Sequence, residues 1–121
     1  MTQSYLDRAV TVVDQNGTPV LTSEGDYAAV AAGQTNATLG AAGAVGDFLG
    51  TLFLMPATSS PGAMTLKDGN TTVMTFAGGA SSVSNLLPVP FVVNAYSKHG
   101  AWNVTTGANV SVLANGNFTE A

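Results

Sequence analysis

The chain contains no cysteine, a single histidine (His99) and only ten fully charged residues among 121, three of them basic. The lack of cysteine excludes a disulfide framework and thiol-ligated zinc, and it leaves no mark of the redox compartment. Acid–base, nucleophilic and metal chemistry draw on clustered His, Cys, Lys and carboxylates, and the few present here stand singly in sequence. No reaction and no cofactor are therefore expected. The three basic residues, Arg8, Lys67 and Lys98, form no tract, so a nucleic-acid partner is not expected either, because phosphate contacts need several clustered cations. The N-terminal residues show no basic region followed by an apolar one, as a secretory leader would. The longest apolar stretch, residues 48–57, is broken by Gly50 and Pro56 and falls far short of a bilayer span. The expectation is a soluble chain, made in a cytoplasm, with no membrane contact.

What the sequence has instead is small residues. Ala, Gly, Thr, Ser, Asn and Val make up 79 of the 121 positions. A chain of this length is one domain and can bury about two thirds of its unfolded surface in one core. Small side chains let backbones approach closely and lose little entropy when docked. With so little charge, a lone copy would expose weakly polar patches of the kind that mark protein contacts. Six N-x-S/T sequons, at Asn16, Asn36, Asn70, Asn103, Asn109 and Asn117, are expected by chance in so Asn- and Thr-rich a chain.

The patterning is that of short strands. Asn16-Gly17, Asp68-Gly69 and Asn115-Gly116 are dipeptides that favour tight hairpin turns. Ala9 to Val13 and Pro19 to Thr22 flank the first. Around the second, Met64 and Leu66 alternate with Thr65 and Lys67, and Thr72, Met74 and Phe76 with Val73 and Thr75, the period-two mark of a two-faced sheet. Phe91 to Tyr96 follows Pro88 and Pro90, which suggests an edge strand. Trp102 and Val104 share a face, and beyond the loop Thr106 to Asn109 the alternation resumes at Val110, Val112 and Ala114, so the last third reads as a meander. Gly46 to Met55 is apolar on both faces and is expected to be covered on both sides. Tyr27 to Ala44 is Ala-rich, yet Gly33, Gly40 and Gly43 would each cost a helix about 1 kcal/mol, and it reads as strand and loop. Together these predict an all-β fold: a single compact β-sandwich, a jelly-roll-like body or a small barrel, with residues 1–27 as an extended N-terminal arm and first hairpin and residues 28–121 as the body. Leu52, Leu54, Phe76 and Trp102 are expected at the core or an interface.

Few constellations could carry chemistry. His99 lies in a turn, Ser97-Lys98-His99-Gly100, with no acidic residue near it in sequence, and reads as solvated. Glu24 and Asp26, with Asp14 or Asp47, could offer oxygen ligands to calcium, but their spacing matches no closing loop, so no metal is expected. The glycines at 40, 43, 78 and 79 lack the context of a phosphate loop and read as turns. Trp102 with Tyr96 and Phe91 could form a platform for a sugar ring, whereas the alternation of Trp102 with Val104 favours packing.

Gly46-Asp-Phe-Leu-Gly-Thr-Leu-Phe-Leu, Pro61-Gly-Ala-Met-Thr-Leu-Lys-Asp-Gly69 and the run from Gly100 to Gly116 resemble a small structural protein of tailed bacteriophages, over roughly residues 28 to 119. The composition is similar to that of capsid decoration, or cement, proteins. That resemblance implies a non-enzymatic virion component on the capsid surface, a homo-oligomer (a trimer favoured over a dimer) whose partner is the major capsid protein and which stabilises the shell by bridging its subunits. Tyr5, Leu6, Val10 and Val12, on an arm that adds to a neighbour's sheet, and Trp102 are the expected partner contacts. The other functional reading is a head-fibre or tail-associated adhesin domain that binds a host glycan.

Overall fold

The computed structural model describes residues 25–120 together with the backbone of residues 12–13 and 19–21. Ten strands run through these residues: β1 (Val12–Val13), β2 (Pro19–Leu21), β3 (Asp26–Val30), β4 (Ala37–Thr38), β5 (Phe48–Pro56), β6 (Met64–Asp68), β7 (Thr71–Phe76), β8 (Val89–Tyr96), β9 (Trp102–Thr106) and β10 (Val110–Asn117). No helix occurs among the described residues. β1 and β2 pair antiparallel as a hairpin of their own. The other eight form two four-stranded antiparallel sheets, the first in the order β3-β10-β5-β8 and the second in the order β4-β9-β6-β7. The sheets pack face to face as a β-sandwich, and they do not close into a barrel.

Period-two alternation builds the core. Val30, Leu49, Leu52, Leu54, Val110, Val112 and Ala114 point inward from the first sheet and meet Met64, Leu66, Trp102 and Val104 from the second. Leu39 and Phe118, from the connecting segments, join them, and Phe76 and Phe91 pack half-buried at the margin. Every one of those inward leucines has no exposed surface. At about 25 cal/mol per Å² of apolar area removed from water, this layer is the main source of stability.

Connectivity departs from the expected meander. β8 and β10 belong to the first sheet while β9 lies in the second, so the chain crosses the sandwich at each of the last two connections. Only β6 and β7 are sequence neighbours paired within one of the two large sheets. Alternation tells which face a residue presents but not which strand lies beside it, and the inward faces of β9 and β10 meet across the core rather than along a ladder.

Two local expectations are also corrected. Asn115-Gly116 is not a hairpin turn but lies inside β10, at a bulge where Asn115 pairs with Thr51 and Gly116 with Leu49. Gly50 is the additional residue on β5, and its neighbour on the other side, β8, shifts register at the same place. A Cβ on Gly116 would collide with the carbonyl oxygen of Phe48, which is why the residue there has none. β5 itself is covered on one side only. The bulge switches its inward set from Leu49 to Leu52 and Leu54, leaving Thr51, Phe53 and Met55 half-buried on the outside. The Asp68-Gly69 signal does mark a hairpin, displaced by one residue: Asp68 pairs with Thr71, and Gly69 and Asn70 form the turn. Gly69 has φ +60° while Asn70 does not have positive φ, the pattern of a type II′ turn.

Candidate functional site

The outer faces of the two sheets differ in chemistry. On the second sheet, in-register pairing aligns Thr105, Thr65 and Thr75 in one row and Thr38, Asn103, Lys67 and Thr72 in the next. This surface is hydroxyl-rich. Asn103 is buried within it and donates from Nδ2 to the carbonyl oxygen of Gly69 at 2.9 Å, which withdraws that sequon from the surface.

On the first sheet, Ala29, Leu113, Phe53 and Pro90 align across all four strands, flanked by a row of Tyr27, Asn115, Thr51 and Val92 and by the pair Ser111 and Met55. None of these side chains carries a charge. Tyr27 is 76% exposed and Val92 72%, and Phe53, Met55 and Leu113 are half-buried. Apolar side chains contiguous over four strands, with no described element packed over them, form the kind of patch that marks a protein contact. This face is the candidate functional site.

Two carboxylates of the body, Asp47 and Asp68, are engaged by the fold. Asp47 accepts from the Thr119 amide through Oδ2 at 2.9 Å and from the Thr119 hydroxyl through Oδ1 at 2.6 Å. Its backbone carbonyl also accepts from Trp102 Nε1 and from the Ser97 amide, both at 2.9 Å. Asp68 accepts from the amides of Lys98 and His99. Burial pushes the Asp68 carboxyl upward, but the backbone N–H groups of His99, Lys98 and Gly100, with the charge of His99, outweigh it and hold the group below the usual carboxylate value. The His99 side chain is exposed beside this contact. Among the described residues no three His, Asp or Glu converge as metal ligands would. Asp26 is exposed at the start of β3, and Glu24 and Asp14 lie outside the described residues.

A shallow recess of about 350 Å³ opens between the start of β5, the end of β8 and the segment after β10, lined by Gly46, Asp47, Phe48, Tyr96, Asn117, Phe118 and Thr119. The rings of Phe48 and Tyr96 lie 5.1 Å apart at 57° on its rim.

Of the expected partner contacts, Trp102 is 3% exposed, its ring in the core and its N–H satisfied. It is a packing residue, not a surface contact. Nor does it form a platform with its presumed companions, since Phe91 points inward from the opposite sheet and Tyr96 outward, 65% exposed. Tyr5, Leu6 and Val10 lie outside the described residues, and Val12 is described only as a backbone paired with Leu21. Sequence reasoning missed Tyr27, Phe53, Val92 and Leu113. The signal for them is the second apolar set on β5, Phe53 and Met55, which lies on the outer face and not in a second buried layer.

Comparison with protein-family models, with curated proteins and with solved structures gives no match. No helix among the described residues is long and apolar enough to cross a membrane.

Proposed function

We propose that this chain is a non-enzymatic virion structural protein of the capsid decoration kind, which binds the shell and reinforces it by bridging neighbouring major capsid subunits. The observation that carries the reading is the uncharged apolar outer face of the β3-β10-β5-β8 sheet, a protein-contact surface of the kind an oligomeric shell component needs, on a body whose buried Asp47 and Asp68 are engaged by their own fold. The phage-like runs from Gly46 to Gly116 support the same assignment. Residues 1–22 act as an arm that adds to a neighbour's sheet through main-chain hydrogen bonds.

With three basic and seven acidic residues, attachment rests on apolar area and backbone pairing rather than on ion pairs, each worth at most about 1 kcal/mol at a surface. Binding to purified shells, read by co-sedimentation, is therefore expected to survive molar salt, which screens only charge contacts. Release at moderate salt would refute that account. Deleting residues 1–15 is expected to weaken binding and leave the sandwich folded, and undiminished binding would eliminate the arm. Density for the protein at many symmetric positions on the icosahedral shell is the decisive image.

The second reading, a head-fibre or tail-associated adhesin, draws on the recess between Phe48, Tyr96 and Asn117, where an exposed ring stands beside polar groups. Density confined to a fibre tip or the tail would favour it.

A further inference from the structure

We infer that the outer face of the β3-β10-β5-β8 sheet is a two-fold contact between two copies of this chain. The inference rests on the reading of that face as a protein-docking surface and names its occupant.

Charge is the first argument. Each copy carries a net charge of −4, so copies repel, yet among the described residues the rows of this face hold no charged side chain. Of the two outer sheet faces, it is the one whose aligned rows carry no charge of either sign. Lys67 interrupts the corresponding face of the other sheet.

Symmetry is the second. A single continuous patch that meets itself closes at two, whereas a closed trimer needs two different patches on each copy. An axis parallel to the strands, passing between β10 and β5, sets β3 of one copy over β8 of the other. Ala29 then opposes Pro90, Leu113 opposes Phe53, Tyr27 opposes Val92 and Asn115 opposes Thr51, by the cross-strand register. Apolar residues meet apolar ones, and the one amide meets a hydroxyl. Two sheet faces stack in this way about 10 Å apart.

Area is the third. Four strands about 4.8 Å apart and about six residues long cover roughly 400 Å² in projection. Side-chain relief raises the accessible area above that, so two copies bury about 1,000 Å², the lower end for a specific interface. The dimer is consequently weak, with a dissociation constant in the micromolar range.

The test is sedimentation velocity of the full chain from 1 to 200 µM. A concentration-dependent shift toward twice the 12.1 kDa of one chain is expected. Leu113→Glu and Val92→Glu should each weaken association at least tenfold, and Thr75→Glu, on the other outer face, should not. Because Leu113 is central and half-buried, circular dichroism and a thermal melt accompany each variant, and Val92, exposed at an edge strand, provides the substitution least able to disturb folding. A monomer at 200 µM, a trimer, or glutamate variants that associate like the parent chain would overturn the inference. A monomer that begins to associate once residues 1–24 are deleted would assign the face to the chain's own N-terminal segment. A monomer whose binding to shells is abolished by Val92→Glu would assign it to the capsid, and the decoration reading would survive without the dimer. A dimer that binds no shell would sink the decoration reading and leave the dimer standing.

Discussion

The inner faces of the two sheets are interchangeable in kind, with leucine and valine on one meeting leucine, methionine, valine and tryptophan on the other, but their outer faces are not. Threonine, asparagine and lysine cover the second sheet, while phenylalanine, leucine, proline, tyrosine and valine cover much of the first. Threonine supplies β-branched stiffness without a large apolar surface, so a sheet facing water can be built from it at little risk of association. The second sheet follows that rule and the first does not. Folding asks only that the inner faces be apolar, and the outer composition reflects what each face meets.

The largest expected effects test the equivalence of the inner faces. Leu52→Ala in the first sheet and Leu66→Ala in the second, both fully buried, should each cost about 2–5 kcal/mol in denaturant unfolding. A loss below half a kcal/mol for either would show that its strand does not pack as described. Gly116→Ala places a methyl group against the Phe48 carbonyl at the bulge that joins β5 to β10, and a loss of about 2–3 kcal/mol is expected. An unchanged melt would mean the bulge relaxes freely.

Acid should act on the second sheet through Asp68, whose carboxyl is held below its ordinary value. A group with a depressed folded value contributes stability that is present above the unfolded value, about pH 3.9, and is lost as pH falls through the folded one. Asp68→Asn should therefore lower the melting temperature by several degrees at pH 7 and flatten its decline below about pH 4. A variant that follows the parent curve throughout would remove Asp68 from the account. The smallest effects concern the outer faces. Thr75→Val and Val92→Thr should each change stability by no more than about 0.5 kcal/mol, yet the first should raise binding of an apolar dye and the second lower it. Equal dye binding by both would erase the contrast between the faces.

Much of this was legible in the residues. Met64 to Phe76 reads as a hairpin from its alternation and its turn, although a bulge at Val73 moves Thr72 off the face of Met74 and Phe76 and onto the outer one with Lys67, and the prolines before Phe91 place β8 at an edge, where it lies. The partition of strands between sheets was not legible, because a period of two fixes the face of a residue and says nothing of its partner strand. Gly50 hides a change of parity in β5, so that Leu49, which the alternation sets with Phe53 and Met55, lies inward with Leu52 and Leu54. Asn115-Gly116 carries a turn signal, but the hydrogen bond from the Thr51 amide to Asn115 Oδ1 and the close approach of Phe48 use those residues for a bulge instead. The candidate face is half visible in the sequence, since Phe53 and Met55 make the second face of β5 apolar, and only the pairing with β10 and β8 joins them to Leu113 and Val92.

β10 is the last strand along the chain and lies between β3 and β5 in the middle of its sheet. During synthesis, the two flanking strands emerge long before the one that separates them. Neither can form its native ladder with the missing neighbour, and Asp47 waits for Thr119, 72 residues downstream. The first sheet must therefore assemble after the ribosome has made β10, from a chain whose other strands are already waiting. A chain interrupted before residue 110 would lack the one residue that β10 gives to each row of the outer face, and the strand that holds the rows together. The apolar outer face is thus completed only when β10 has taken its place between β3 and β5.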